Sequence, residues 1–264
     1  MGAASSDSPV SGQDLHHLVE QQFGPQAQAY VASAVHAKGD DLDALGIQLE
    51  QTCPARFLDL GCGGGHVSFA AAPHAGAVVA YDLSTQMLEA VAAEALRRGQ
   101  ANVSTQQGVA EALPFADAAF DMLASRYSAH HWRDVEAGLR EARRVLKKGG
   151  AALFMDVVAP DMAVADTFLQ AVELLRDPSH ARDYSRSEWE SHAQAAGFRI
   201  EKVTPRRLTL DFSSWVARIR TPALHVQAIR ALQQGASEEV VRHFEIQPDG
   251  TFTVDTLGLE LRAV

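Results

Sequence analysis

Arg56-Phe57-Leu58-Asp59-Leu60-Gly61-Cys62-Gly63-Gly64-Gly65-His66 is the stretch whose reading decides the fold. An apolar run ends in an acid, and glycines follow at alternate positions. This is how a buried parallel strand reads when it turns sharply into a helix. Glycines tolerate positive φ and carry no Cβ, so backbone N–H groups there can approach a ligand at the start of the next helix. A nucleotide-like small molecule is expected at this turn. The dinucleotide fingerprint G-x-G-x-x-G is not met, because the sixth position counted from Gly61 is His66. The spacing is instead acid-x-Gly-x-Gly-x-Gly over Asp59, Gly61, Gly63 and Gly65, and an acid so placed suits a cationic amino-acid head. Cys62 is a small residue that fits the loop.

With 264 residues and ordinary globular composition, the chain can form one large domain, or a domain with a cap, around an ample core. A net charge of −10 gives no basic footprint for nucleic acid. Two cysteines, Cys53 and Cys62, make no disulfide framework and are too few for a zinc cluster. No apolar run approaches the roughly 18 residues of a membrane span. The small, polar N-terminus lacks a signal pattern. The expectation is a cytoplasmic protein with a disordered tail over 1–14.

Residues 15–50 read as a helical lid broken at Phe23-Gly24-Pro25, with a second helix over 26–37. Tyr30 on that helix either packs on the core or lines the cofactor pocket. Strands are expected at 56–60, 77–81, 103–107, 120–124 and 151–158. Asp82 follows the second strand about 20 residues after Gly61, the separation at which a carboxylate can receive both ribose hydroxyls. Ser84 is an N-cap, and Leu83 and Met87 are placed to touch a ring above Asp82. Ala110 and Glu111 could read an adenine amino group.

The fourth strand runs out into Ser125-Arg126-Tyr127-Ser128-Ala129-His130-His131-Trp132. The carboxyl ends of parallel strands are where open α/β sheets bind ligands, so this cluster is the expected reaction face. The following helix is expected to close with Arg143, Arg144, Lys147 and Lys148 before Gly149-Gly150, its cations serving the macrodipole. Residues 160–196 read as helical, with a capping box at Ser187 and Glu190. A sixth strand begins at Phe198. Three short helices follow within 209–244, and a final strand spans 251–257. The roughly 35 residues before that strand are long for a hairpin connection and read as a cap over the pocket.

Asp59-x-Gly61-x-Gly63-x-Gly65, Asp82-Leu83-Ser84-x-x-Met87, Ala110-Glu111-x-Leu113-Pro114-Phe115, Phe120-Asp121 and Arg144-Val145-Leu146-Lys147-x-Gly149-Gly150 occur in order. Together they resemble the class I S-adenosylmethionine (SAM) methyltransferases of type 11, the group that includes ubiquinone and menaquinone biosynthesis enzymes. Residues 23–27, 125–132 and 212–218 extend the resemblance to a bacterial member over nearly the full chain. It implies an α/β fold, a Rossmann-like seven-stranded and mostly parallel sheet flanked by helices, here with a helical cap at about 211–245. The units would be a lid at 15–50, a SAM-binding core at 51–158, a helical insertion at 159–196 and closing strands within 197–264. SAM is the implied cofactor and S-adenosylhomocysteine (SAH) the product. Asp59 and the glycines would lie near its methionine end, Asp82 on the ribose and Ala110 and Glu111 near adenine, with Cys62 and Ser125 also at the cofactor. Many relatives carry Asp where this chain has Val109, so Glu111 or backbone groups would have to read the adenine.

Methyl transfer to a hydroxyl or amine needs a base. His130, then His131, are the candidates, with Tyr127 and Arg126 placed to orient the acceptor. Arg182, Arg218 and Arg220 could meet an anionic substrate. The expected partner is a small molecule, with an O, N or C nucleophile and an aromatic or quinone-like acceptor among the options. The apolar cap helices leave a homodimer open. A SAM-binding protein without turnover and a NAD-type oxidoreductase are the competing readings.

Overall fold

A computed structural model describes residues 14–27 and 39–264. The tail expected over 1–14, apart from Asp14, lies outside the described residues. So do Tyr30 and most of the helix expected over 26–37. Ten helices among the described residues are α1 (Leu15–Phe23), α2 (Asp40–Thr52), α3 (His66–Ala71), α4 (Thr85–Arg97), α5 (Val135–Val145), α6 (Ala163–Arg176), α7 (Arg186–Ala195), α8 (Phe212–Arg218), α9 (Ala223–Gln234) and α10 (Glu238–Phe244). The strands are β1 (Arg56–Leu60), β2 (Ala77–Asp82), β3 (Val103–Gln107), β4 (Phe120–Arg126), β5 (Leu146–Val158), β6 (Phe198–Leu210) and β7 (Phe252–Ala263).

They form one seven-stranded sheet in the order β3-β2-β1-β4-β5-β7-β6. Only β7 runs antiparallel to its neighbours, β5 and β6. The sheet is the Rossmann-like arrangement expected. Strand order reverses between β1 and β4, so a crevice opens at their carboxyl ends.

Both faces of the central strands are covered, which is why those strands read as continuous apolar runs. Side chains still alternate between faces. Leu58, Leu60, Leu123 and Phe154 pack with Leu139, Ala142 and Val145 of α5 and Trp189 of α7. Phe57, Val78, Met122, Leu153 and Met155 pack against Leu42, Leu45 and Leu49 of α2 and Val67 of α3. A third cluster is separate. It joins Phe168, Leu169 and Val172 of α6 to Phe212, Trp215, Ile229, Val240 and Phe244 of the cap helices. Among the described residues no helix is long and apolar enough to cross a membrane.

Several boundaries differ from the sequence expectation for identifiable reasons. The helix expected over 160–196 is two helices, because Pro178 forces Asp177 into an extended conformation, φ −135° and ψ 107°. The capping box lies at Ser185 and Glu188, not Ser187 and Glu190. The helix before β5 stops at Val145, and Lys147 to Gly150 already belong to the strand. Arg144 therefore does not serve a helix end alone. It binds Glu141 at 2.7 Å, Asp117 at 2.8 Å and the carbonyls of Phe115 and Leu113 at 2.7 and 2.9 Å, fixing the loop before β4. The last strand runs on to Ala263, paired along its length with β6 from Phe198↔Ala263 to Leu210↔Phe252.

Candidate active site

The glycine turn is built by three left-handed glycines, Gly61, Gly63 and Gly65, at φ +74°, +46° and +79°. The Tyr81 carbonyl on β2 accepts the N–H groups of Gly61 at 2.8 Å and Cys62 at 2.9 Å, which pins the turn across the sheet. A Cβ on Gly61 would sit 1.9 Å from Ser128 Oγ, whereas one on Gly63 would meet no atom within 4 Å. Gly61 is thus demanded by the protein, and Gly63 faces open space.

Around this turn lies a cleft of about 760 Å³. It is lined by Gly61, Gly63 and Asp82, by the apolar Leu83, Met87, Val109 and Ala110, and by His16, Val19 and Phe23 of α1. Asp82 Oδ2 accepts the Gly63 N–H at 2.8 Å and Oδ1 accepts the Ser84 N–H at 2.9 Å. Burial raises its pKa, and those amides partly offset the rise. Each carboxylate oxygen keeps acceptor capacity for a further donor. Two ribose hydroxyls match that capacity, and the apolar residues suit a purine ring. The residues fit SAM.

Not every residue expected at the cofactor faces the cleft. Asp59 is 1% exposed, and its Oδ2 accepts both the N–H and the hydroxyl of Ser68 at 2.8 and 2.6 Å. It braces the first turn of α3 behind the glycines. Burial, resisted by those Ser68 bonds, pushes its carboxyl up to about 7. Gly65, Cys62 and Ser125 also stand away from the cleft wall. The Cys62 thiol is buried and pushed well up by that burial. Ser125 is buried within β4, paired with Phe154. Glu111 does line the cleft, but its Oε1 accepts the N–H groups of Arg133 and Asp134 at 2.8 and 3.2 Å. That contact fastens the start of α5.

Beside the cleft lies a second chamber of about 1510 Å³, and Phe23, Tyr127 and His131 line both spaces. Tyr127 adopts a left-handed φ of +51° at the end of β4, and its N–H donates to the Met155 carbonyl at 2.8 Å. Burial, with the Asp41 charge behind it, pushes its phenol up to about 12. Arg126 is not free to orient an acceptor as expected. Its guanidinium grips Asp41 at 2.5 and 3.1 Å, tying β4 to the start of α2.

The two histidines differ. His130 Nδ1–H donates to Asp156 Oδ1 at 2.6 Å, and Asp156 also accepts the Ala129 N–H at 3.0 Å. Burial pulls the imidazole down, but the charge and hydrogen bond of Asp156 outweigh it and carry the pKa to about 9. His130 is therefore a cation at neutral pH. Burial and the neighbouring His130 charge push His131 down to about 4. Its Nδ1–H donates to the Ser179 carbonyl at 3.1 Å, which leaves a lone pair on Nε2. The order expected from sequence reverses on these values: His131, not His130, is the neutral imidazole.

The coil that replaces the expected helix holds the His131 ring and the His130 backbone. Asp177 accepts the N–H and hydroxyl of Ser179 at 2.8 and 2.6 Å, aiming the Ser179 carbonyl at His131. The N–H groups of Ala181 and Arg182 donate to the His130 carbonyl at 2.8 and 3.2 Å. Of the arginines expected to meet substrate, Arg218 lines the chamber, while Arg182 lies against Glu188 and Asp166. Asp156, Asp183 and Arg206 were not singled out by the sequence, whereas Ser128 and Trp132 stood within the stretch expected to form the reaction face. Of the three, Asp156 carried a signal, as an acid near the carboxyl end of the strand beside β4.

A family model described as a methyltransferase domain matches residues 58–154. The uncharacterized protein YafE of Escherichia coli is 51% identical over 74% of this chain and 95% of that protein. The uncharacterized methyltransferase YcgJ of Bacillus subtilis is 37% identical over 83% of this chain and 87% of its own length. The crystal structure of YcgJ superposes with a TM-score of 0.81 at 33% identity, covering 84% of this chain and 97% of that one. A malonyl-[acyl-carrier protein] O-methyltransferase of Pseudescherichia vulneris is 33% identical over 77% of this chain and 76% of that protein.

Proposed function

This chain belongs to the class I methyltransferase family of that domain, and we propose that it transfers a methyl group from SAM to a small-molecule acceptor seated in the chamber beside the cleft. The observation that carries this reading is the shared wall of Phe23, Tyr127 and His131, which lets a cofactor and an acceptor meet at one opening. Asp82 would hold the ribose hydroxyls, the Gly61–Gly63 backbone the amino-acid end, and Leu83, Met87 and Val109 the adenine. When bound, SAM supplies an electrophilic methyl carbon on a sulfonium.

The chain's own contribution is alignment. Holding a nucleophile and an electrophile in line removes much of the entropic part of a displacement barrier. Phe23 stands edge-on to His131, ring centroids 5.0 Å apart, on the wall that the two spaces share. Tyr127 keeps its phenolic proton and donates to an acceptor oxygen. His130 already carries its proton and takes no further one. His131 can accept a proton at Nε2, although so low a pKa makes it a weak base. The site is therefore best matched to an acceptor that arrives already ionised or readily gives up its proton. The malonyl carrier-protein methyltransferase among the relatives is named for methylating an oxygen, in keeping with that chemistry.

Calorimetric titration with SAM, SAH and NAD tests this function on the wild type and Asp82→Ala. SAM and SAH should bind near the micromolar range, NAD should not, and Asp82→Ala should weaken both by about 10- to 100-fold, as expected for hydrogen bonds to a charged group. No SAM or SAH binding by folded protein, or preferential NAD binding, overturns the reading.

A further inference from the structure

We infer that the second chamber takes an acceptor with a single carboxylate head and an apolar body, and that Arg206 anchors the carboxylate. This rests on the methyltransferase reading above, whose cofactor would occupy the neighbouring cleft.

The charged residues on the chamber wall are mostly spoken for. Arg126 is bound by Asp41 at 2.5 Å. Arg176 lies 3.6 Å from Glu173 and donates to the Trp215 carbonyl at 3.2 Å. Arg207 is bound by Asp255 at 2.8 Å and Glu245 at 3.1 Å. Arg206 differs. Among the described residues no carboxylate pairs with it, and its hydrogen bond is a long one, 3.4 Å from Nη2 to the Asp40 carbonyl. Its Nη1 rests where a Cβ on Gly258 would stand 2.8 Å away, so the absent side chain on β7 gives the guanidinium its berth.

A second group on the same wall also lacks a partner. Asp183 is 2% exposed, yet its Oδ2 takes no hydrogen bond, and His180 Nε2 stands 3.8 Å off. Burial, reinforced by the Glu173 charge, pushes this carboxyl well up. The guanidinium of Arg206, without a counter-charge among the described residues, is an array of donors. A ligand bearing acceptor oxygens satisfies it, and an ammonium group does not.

The guanidinium fork matches one carboxylate in bidentate geometry. A diphosphate carries several charges and would face the Glu173 and Asp40 carboxylates on this wall. Val157, Leu208, Leu210 and Trp215 complete the chamber and suit an aryl or alkyl body.

Calorimetry on the SAH-saturated protein tests the inference, with 4-phenylbutyrate and octanoate as carboxylate probes. Their amides, phenethylamine and geranyl diphosphate are the comparison probes. The carboxylates should bind at or below about millimolar concentration and at least about 10-fold more tightly than the amides and the amine, the range expected when a charge-assisted bidentate contact is gained. Arg206→Gln should erase that preference while SAH affinity stays unchanged. Gly258→Ala, which displaces the guanidinium without touching its charge, should weaken the carboxylates as well. Amides or amine binding equally well, diphosphate binding more tightly, or no carboxylate binding to SAH-loaded protein each overturns the inference while leaving the function above intact. Failure of SAH itself to bind overturns both.

Discussion

His130 Nδ1 and Asp156 Oδ1 lie 2.6 Å apart, joining the exit of β4 to the end of β5. The contact holds an imidazolium beside the opening between cleft and chamber. A histidine whose folded pKa is raised to about 9 from its ordinary 6.5 contributes stability that is complete below about 6.5. That contribution fades as pH climbs through about 9. Urea unfolding midpoints of the wild type should therefore fall more steeply between pH 6.5 and 9 than those of Asp156→Asn. In the variant, NMR titration should place the His130 transition well below 9.

Two neighbouring glycines should answer differently to the same substitution. Gly61→Ala adds a left-handed Cβ and a clash with Ser128 Oγ, so a loss of about 2–5 kcal/mol is expected. Gly63→Ala adds only the left-handed penalty, about 1–2 kcal/mol. Its methyl group enters the open cleft, however, and SAH affinity should drop about 10-fold or more while the fold persists. Thermal melts and calorimetry on the two variants separate the effects.

Asp59 should behave as a buried acid rather than a ligand. Its folded pKa of about 7 lies above the ordinary 3.8, so its contribution is present below about 3.8 and is lost as pH rises through 7. Asp59→Asn keeps an oxygen for Ser68 and removes the charge. The variant's stability relative to wild type should be higher at pH 8 than at pH 5, read by urea denaturation. Ser68→Ala should cost about 1–3 kcal/mol, since it leaves a buried acceptor short of one donor.

Asp41 and Arg126 form a pair whose side chains are 10% and 8% exposed. Removing one partner strands the other charge, so Asp41→Ala should cost about 3–5 kcal/mol. The double substitution Asp41→Leu with Arg126→Met should recover much of that loss. Denaturation of the three variants gives the coupling directly.

The sheet was legible in the sequence because its central strands are short apolar runs bounded by glycine and acid. The starts of β1, β3 and β6 fall where Arg56, Val103 and Phe198 place them. What escaped were contacts between residues far apart in the chain. Nothing near Arg126 announces Asp41, and nothing near His131 announces Ser179. Pro178 did carry a local signal, and giving it full weight would have broken the 160–196 helix in the right place. The rank of the two histidines was not legible at all. It depends on which ring faces a carboxylate and which a carbonyl, and that is fixed only when β5 and the 177–185 coil close around them.

The long connection between β6 and β7 leaves and rejoins the sheet at one rung, Leu210 opposite Phe252. Its two ends are thus neighbours, like the handles of a drawer. Trp215 and Arg218 are carried on it, whereas Asp82 and the glycine turn are carried on the opposite half of the sheet. The inserted helices can therefore change in length or sequence without shifting the register of β1 or β2. Under the proposed function, the acceptor's chamber can be reshaped from this insertion while the cleft beside the glycine turn keeps its form.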